Sequence, residues 1–357
     1  MRTMTAMMGG VAILALAACS PEPKQAAKPP PAASAVAPAG PLSVQAINAA
    51  SFNPAAAPPA PATANKDAPP DAVLIRAEVL LDRARFSPGV IDGKAGTNAS
   101  HAIAAFQAHA GLPASGQLDA ATWAALTHDN GPVMQTYTIT AADEAGPFAP
   151  DVGEDFVKLA AQPMGPQYAT PLEALAERFH MSQALMTALN PGADFTKAGT
   201  ALVVAVPGAP AFAKGDVDHI EVSKAHAQVT AFDTGNTVLA VYPATVGSTE
   251  RPSPTGVHKV NGVSMNPDYL YDPAKLHWGP RSHGKLRVKP GPNNPVGAVW
   301  IDLNAPSYGI HGSPDPDKIG KTASHGCVRL TNWDAVALAG GVKPGVKVTF
   351  VGSRGGK

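Results

Sequence analysis

Apolar positions in the first part of the chain recur every three or four residues, which is the spacing of an amphipathic helix. Three such runs lie between residues 71 and 130, separated by loops rich in glycine and aspartate. The repeating positions of the three runs are Leu74, Val79, Leu80, Leu81 and Ala84; Ala102, Ile103, Ala105 and Phe106; and Thr122, Trp123 and Leu126. The pattern predicts a small all-α domain of three helices over residues 71–130.

Residues 137–207 follow a different order, which predicts strand, helix, helix, strand. Residues 137–140 alternate like a strand, and residues 201–207 form an apolar run rich in valine. Thr170 is a helix cap followed by Pro171 and, three residues after the cap, Glu173; a second helix is expected over residues 182–189. The order predicts an α+β module that residues 142–168 interrupt.

From residue 216 onward, apolar residues alternate with polar ones or cluster as valine and isoleucine, which is typical of strands. Gly235 and Asn236 between two such runs indicate a hairpin turn, and one helix is expected over residues 332–339. The predicted strands cover residues 218–222, 228–233, 237–246, 256–263, 297–303 and 346–351. We therefore expect a multidomain chain that ends in a mainly β domain, sandwich-like or barrel-like, over residues 216–352.

Residues 1–70 show neither pattern. Arg2 and the apolar run over residues 11–16 predict a signal peptide over residues 1–18, because the run is too short to span a bilayer. Residues 19–70 are rich in proline and alanine, bury little, and predict a disordered linker. Formal net charge is +0 and 15% of residues are charged, so composition gives no reason to expect a nucleic-acid partner.

The candidate chemistry lies in residues 324–330, which read Ser-His-Gly-Cys-Val-Arg-Leu. Cys327 is one of only two cysteines in the chain, and a lone downstream thiol near histidines is a candidate nucleophile. Such a thiol needs a base, for which His325 and His311 are the candidates. The alternatives are an inert buried cysteine and a zinc site, whose further ligands would come from His258, His277 and His283.

Neighbouring groups could complete a nucleophile site. The carbonyl of Gly312 could hold the far ring nitrogen of His311 and so orient the imidazole. The amides of Gly326 and Cys327 could bind an oxyanion, and glycine at position 326 permits a substrate backbone to approach closely. Arg329 could form a forked contact with a carboxylate of the substrate or of the protein.

These residues resemble the catalytic domain of the L,D-transpeptidase (YkuD) family, in which His-Gly is followed by Ser-His-Gly-Cys, a hydrophobic residue and Arg. Further matching segments occur in family order, at residues 242–247, 253–256, 291–295, 309–312 and 319–320. The resemblance implies Cys327 as nucleophile, His311 as general base and then acid, and His325 as a supporting residue, with the Gly326 and Cys327 amides at the oxyanion. We also expect substrate contacts from Arg329, Ser324 and Tyr308, and neither a cofactor nor a metal.

The reaction that the resemblance implies is acyl transfer on the peptide stems of peptidoglycan. Cys327 would attack the carbonyl at the L-centre of a diamino acid in a tetrapeptide stem, expel the terminal D-Ala, and pass the acyl group to an amine in a 3–3 crosslink. A carboxypeptidase or hydrolase acting on the same bond, or an enzyme that attaches a protein to the wall, would use the same site. The non-enzymatic alternative is a lipoprotein that anchors the wall.

Two upstream segments resemble wall-binding modules. Residues 90–93, 105–107, 111–113, 116 and 122–126 are similar to the peptidoglycan-binding type 1 domain, while residues 98–101 depart from its usual pattern. Residues 137–207 resemble a LysM module in their order of elements, in Asn190 and in the terminal Val-Pro, without the usual Gly-Asp turn. The resemblance implies that peptidoglycan is a partner, and a structural adaptor is the alternative for the LysM-like module.

Residues 16–19, Leu-Ala-Ala-Cys, resemble the lipobox of bacterial lipoproteins. The resemblance implies a lipid on Cys19, hence a membrane partner and a lipid-anchored protein of the periplasm, sorted to the outer membrane where the cell has two. An ordinary signal peptide with a chance cysteine is the alternative. A lipidated Cys19 would leave Cys327 without a disulfide partner in the chain.

Overall fold

The computed structural model describes residues 40, 42–56, 68–149, 151–209, 212–274, 282–324 and 326–352. The predicted signal peptide, Cys19, His277, His325 and most of the proline-rich linker lie outside these residues. Among the helices that are described, none is long and apolar enough to cross a bilayer.

The helical N-terminal domain contains the three predicted helices, α2 (Ala72–Arg83), α3 (Thr97–His109) and α4 (Ala120–Leu126). Asp71 begins α2 by accepting the N–H groups of Val73 and Leu74, and Asp119 caps α4 in the same manner. Part of the predicted linker is ordered, which corrects the expectation of disorder up to residue 70. Residues Val44–Ala49 form helix α1, because Ile47 is fully buried in the core of this domain.

Three of the residues that resemble a peptidoglycan-binding domain form a buried hydrogen-bond network. The Gln107 amide donates to the Thr122 hydroxyl at 2.8 Å and accepts the N–H of Gly116 at 2.9 Å. Gly116 has φ +69° and approaches the backbone of Ser100, where a side chain would clash. These residues therefore hold the helices of the domain together.

The middle module has the predicted order of strand, helices and strand. Strands β1 (Met134–Thr138) and β2 (Ala201–Ala205) pair antiparallel, with Thr136 opposite Val203. Helix α7 (Pro171–Arg178) begins at the Thr170 cap, and α8 (Gln183–Leu189) begins at the Ser182 cap. The interrupting stretch forms two further short helices, α5 (Ala141–Ala145) and α6 (Phe156–Ala161).

The C-terminal domain is mainly β, as predicted, and is built on an eight-stranded sheet of order β11-β10-β9-β6-β12-β3-β4-β5. The hairpin turn at Asn236 joins β4 to β5, and helix α9 (Asn332–Gly341) follows the last strand of the candidate site. The strands of this sheet are β3 (His219–Ser223), β4 (Gln228–Phe232), β5 (Val238–Pro243), β6 (Gly256–Met265), β9 (Val299–Leu303), β10 (Gly309–His311), β11 (Val328–Arg329) and β12 (Lys347–Val351). A separate hairpin consists of β7 (Tyr269–Tyr271) and β8 (Leu286–Val288).

The N-terminal domain is attached directly to the edge of the eight-stranded sheet. Phe86 forms a parallel bridge with Val241 of the edge strand β5, where Ser87 N–H donates to the Val241 carbonyl and Val241 N–H to the Arg85 carbonyl, both at 2.9 Å. Asp82 of α2 also contacts the ring of His180 in the middle module at 3.1 Å, and that ring stacks on Trp333 of α9. The three parts of the chain therefore share one packed structure.

Candidate active site

The candidate site is formed where β10 and β11 pair in parallel. Ile310 lies opposite Val328, and His311 lies opposite Arg329. Cys327 precedes β11 by one residue, so its side chain projects on the same side as Arg329. All three functional side chains, Cys327, His311 and Arg329, line one cavity of about 700 Å³.

The imidazole of His311 is oriented by its neighbour. His311 is buried, and its Nδ1 atom lies 2.7 Å from the carbonyl oxygen of Gly312. A carbonyl only accepts hydrogen bonds, so Nδ1 carries the proton and Nε2 keeps a lone pair. This is the contact that the sequence analysis predicted for Gly312. Trp300 of β9 stacks on the same ring at a centroid distance of 5.5 Å and limits its rotation.

The imidazole of His311 and the thiol of Cys327 are both uncharged in the resting site. Burial and then the nearby Arg329 guanidinium lower the pKa of His311 to about 3, against a smaller opposing effect of the Gly312 hydrogen bond. Burial raises the pKa of the Cys327 thiol, although the Gly309 N–H and Arg329 act in the opposite direction. The resting pair is therefore a thiol and an uncharged imidazole, and the thiol donates to the Ser307 carbonyl at 3.6 Å.

Ser324 supports the turn that carries Cys327, and its expected contact with substrate stays a prediction. Its buried hydroxyl donates to the Cys327 carbonyl at 2.5 Å and accepts the N–H of Gly326 at 3.1 Å. The second bond occupies the Gly326 N–H, one of the two amides that were expected to bind the oxyanion. Ser253 supports the same turn, because its hydroxyl donates to the Gly326 carbonyl at 2.7 Å.

Tyr308 lies against the turn and is not among the residues that line the cavity, and its expected contact with substrate stays a prediction. Gly326 has φ +120°, and a Cβ atom there would lie 2.7 Å from the Tyr308 ring. The Tyr308 hydroxyl donates to the Pro252 carbonyl at 3.4 Å. Glycine is needed at position 326 for two reasons: the backbone is left-handed there, and the Tyr308 ring leaves no room for a side chain.

Arg329 faces the cavity without a carboxylate partner among the described residues. Its buried Nε atom has no hydrogen-bond acceptor within the part of the chain that the structure describes. A carboxylate of the substrate or of the protein was expected as its partner, and no described residue supplies the protein carboxylate. His258, an alternative zinc ligand, lies on β6, where its ring contacts Asn304 and the carbonyl of Thr255.

Comparison with known proteins identifies the family to which the domain with this site belongs. The family described as "L,D-transpeptidase catalytic domain" (YkuD) matches residues 217–350. The protein named "Putative L,D-transpeptidase YkuD" of Bacillus subtilis is 32% identical over 181 residues, which cover 50% of this chain and 92% of that protein. The chain belongs to the YkuD family of L,D-transpeptidases. It is thus an acyltransferase that acts on peptidoglycan.

Further matches agree with this family. A second family model, "Putative peptidoglycan binding domain", matches residues 74–126 of this L,D-transpeptidase, as its N-terminal motifs predicted. "Probable L,D-transpeptidase YbiS" of Escherichia coli is 30% identical over 187 residues, which cover 51% of this chain and 60% of that protein. L,D-transpeptidase 3 of Mycobacterium tuberculosis is 17% identical at a TM-score of 0.32, covering 43% of this chain and 66% of that one, and adds nothing to the assignment.

Several residues of the YkuD-family site were missed by the sequence analysis. Trp300 and Tyr269 line the cavity, and the carbonyl of Ser307, a residue with a left-handed backbone of φ +69°, accepts a hydrogen bond from the thiol. None belongs to the Ser-His-Gly-Cys motif. Ser253 lay in a matching segment, yet its role in holding the Gly326 carbonyl required the fold. The LysM-like nature of the middle module stays a prediction.

Proposed function

We propose that Cys327 of this L,D-transpeptidase attacks a tetrapeptide stem of peptidoglycan, with His311 as general base and then acid. The observation that supports the proposal is the β10–β11 pairing: His311, whose Nδ1 faces the Gly312 carbonyl, lies opposite Arg329, and both line one cavity with Cys327. The Cys327 thiol gives its proton to His311 Nε2 as sulfur bonds to the carbonyl at the L-centre of the diamino acid. The terminal D-Ala then leaves with that proton on its amine, and a thioester remains.

The second half of the reaction transfers the acyl group. An amine of a second stem attacks the thioester carbonyl, His311 Nε2 accepts the proton of that amine, and the proton returns to the departing sulfur. The product is a 3–3 crosslink and free Cys327. Because the resting pair is neutral, the imidazolium exists only while a negative sulfur or oxyanion stands beside it, which limits the cost of a buried charge.

Arg329 and the amides of the turn complete the proposed site. The Arg329 guanidinium, whose buried Nε has no acceptor among the described residues, would bind a substrate carboxylate, such as that of the terminal D-Ala. The oxyanion would be held by the Cys327 N–H. The Gly326 N–H could join only if its bond to Ser324 were broken.

We propose further that the enzyme works in the periplasm, anchored by a lipid on Cys19 after removal of residues 1–18. The lipobox supports the anchor, and the proline-rich residues that follow would let the enzyme reach the wall. The peptidoglycan-binding domain supports the wall as its place of work. Sorting to the outer membrane would follow in a cell that has two membranes.

The test is incubation of the protein with tetrapeptide-stem muropeptides, followed by product analysis. Crosslinked dimers and an equal amount of free D-Ala are expected, and neither is expected from Cys327→Ala. Release of D-Ala without dimers would identify water as the acceptor and a carboxypeptidase. The absence of D-Ala release from wild type would contradict the proposal.

A further inference from the structure

The catalytic cavity has walls from two parts of the chain. One wall belongs to the catalytic domain and carries Cys327, His311 and Arg329. Another part of the lining belongs to the middle module, which contributes residues on and around α6 and α7, among them Phe156, Leu159, Pro166 and Gln167. A segment that interrupted the predicted LysM-like pattern therefore lines the same cavity as the Cys327 thiol.

This wall is fastened to the catalytic domain through backbone contacts. Gly165 packs so closely on the Pro290 carbonyl, and Gly291 on the Pro166 carbonyl, that a Cβ atom at either glycine would overlap with it. The Asn293 N–H donates to the Pro166 carbonyl at 3.1 Å, and Lys289 Nζ donates to the Pro163 carbonyl at 2.7 Å. Contacts this close fix residues 163–167 in place against the loop over residues 289–293.

Helix α6 and the β7–β8 hairpin share a small hydrophobic core of their own. Phe156 stacks on Tyr271 with ring centroids 4.9 Å apart, and Leu159 and Val288 are buried beside them. Phe156 also lies 5.7 Å from the ring of Tyr269, at an interplanar angle of 33°. The position of the Tyr269 ring thus depends on a side chain of the middle module.

Tyr269 connects this small core with the thiol. Its side chain lines the cavity together with Cys327. Burial and then the negative charge of a Cys327 thiolate raise the pKa of the Tyr269 phenol, so the phenol remains protonated and the ring presents a neutral surface beside the sulfur. An aromatic face with a hydroxyl donor is suited to an extended peptide next to the nucleophile.

We propose that the middle module is a substrate-positioning element of the transpeptidase: Phe156 holds Tyr269 as the wall against which the peptide stem lies beside Cys327. The proposal rests on the proposed function, since it concerns the same cavity and the same peptide substrate. Phe156 is a positioning residue in this scheme, and Tyr269 is the residue that contacts the stem. The module then contributes to peptide affinity whether or not it also binds glycan.

The experiment measures binding of a tetrapeptide stem, with its diamino acid and terminal D-Ala, to the full chain carrying Cys327→Ala, which cannot turn it over. We expect Phe156→Ala in this background to raise Kd about five- to twenty-fold, because the Tyr269 ring loses its support. Phe156→Leu keeps apolar volume at the site and should give an intermediate Kd. With Cys327 present, Phe156→Ala should raise KM for the stem far more than it lowers kcat.

The matched control is Phe179→Ala, a buried phenylalanine of the same module that packs on Tyr137 at 5.1 Å in the large core and does not itself line the cavity. It should lower the melting temperature as Phe156→Ala does and leave the Kd unchanged. An unchanged Kd in Phe156→Ala, an equal rise in Phe179→Ala, or no binding of the stem at all would overturn the inference. Normal binding with no D-Ala release by wild type would overturn the proposed function alone.

Discussion

His311 and Arg329 are direct partners in the parallel ladder between β10 and β11, so imidazole and guanidinium project from the same face of the sheet. Burial is the largest influence on both groups and lowers the pKa of His311 while it raises that of the Cys327 thiol; the cation acts to lower both. Arg329 therefore adds to the burial that keeps His311 neutral and partly offsets the burial that disfavours a thiolate. A residue expected to hold a carboxylate, of the substrate or of the protein, thus also influences the pKa values of His311 and Cys327.

Arg329→Gln should shift the alkylation of Cys327 to higher pH. Loss of the cation raises the pKa of the thiol, and we expect a shift of roughly one pH unit. The measurement is the rate of reaction with iodoacetamide between pH 6 and pH 10, in a chain where Cys19→Ser leaves one thiol. Lys318→Gln, which removes another cation of the cavity, is the control and should leave the profile in place. An identical profile for Arg329→Gln and wild type would refute this role.

Ser324→Ala should reduce kcat more than it raises KM. The hydroxyl holds the Cys327 carbonyl and the Gly326 N–H, so its loss should loosen the turn and misplace the sulfur, at a cost of about ten- to a hundred-fold in kcat. Steady-state release of D-Ala measures both constants. Ser264→Ala, at an exposed position of β6, is the control. A rise in KM alone would contradict this supporting role and favour the contact with substrate that was predicted for Ser324.

Gly326→Ala should unfold the nucleophile turn locally. The new Cβ would combine a left-handed backbone with overlap against Tyr308, so we expect about 1–3 kcal/mol of lost stability and loss of stem turnover. Thermal melting and D-Ala release measure the two effects. Gly284→Ala separates them, because Gly284 has φ +65° with open space around it and should lose some stability at full activity. A fully active Gly326→Ala enzyme would contradict this account of the turn.

Asp334→Asn should stabilise the protein near neutral pH. Burial and the neighbouring Asp82 raise the pKa of Asp334 to about 7, well above the value of about 4 in an unfolded chain. The folded state then binds the proton more tightly, so the free energy of unfolding falls as pH rises from about 4 to 7.

The asparagine does not titrate, so the variant lacks this fall in the free energy of unfolding, which is on the order of 1 kcal/mol for each pH unit in that window. Glu177, whose pKa is also raised to about 7 by burial, keeps its own pH-dependent effect on stability. Denaturant unfolding at pH 5 and pH 8 measures this fall, with the exposed Glu154→Gln as control. The variant should gain stability at pH 8 relative to pH 5. A gain equal at both pH values would show that charge at Asp334 is not the cause.

Helices whose starts are set by residues close together in the sequence were predictable. Thr170 and Pro171 begin α7 where expected, since a cap and a first-turn proline act through neighbouring atoms. Strands β10 and β11 were missed because two or three residues carry no periodicity and are held by distant partners. Helix α1 was missed because it is short, lies in a proline-rich stretch, and is held largely by distant residues, through the buried Ile47 and the hydrogen bonds of Asn48.

The reactive residues of the site were more predictable from the sequence than the residues that line the rest of its cavity. Cys327, His311 and Gly312 lie in contiguous motifs, and the fold brings the two motifs together on adjacent strands. Tyr269 and Phe156 come from segments far apart in the chain, and their stacking depends on the packing of α6 on the β7–β8 hairpin. Nothing local in either segment indicates that they meet beside a thiol.

The central claim is that Cys327 carries the acyl group. The most direct measurement is the intact mass of the protein, quenched in acid during turnover of a tetrapeptide stem. We expect a gain equal to the mass of the stem minus its D-Ala, localised to Cys327 by peptide mapping, reversed by an added amine, and absent in Cys327→Ala. Turnover with no adduct on Cys327, or an adduct on another residue, would contradict it.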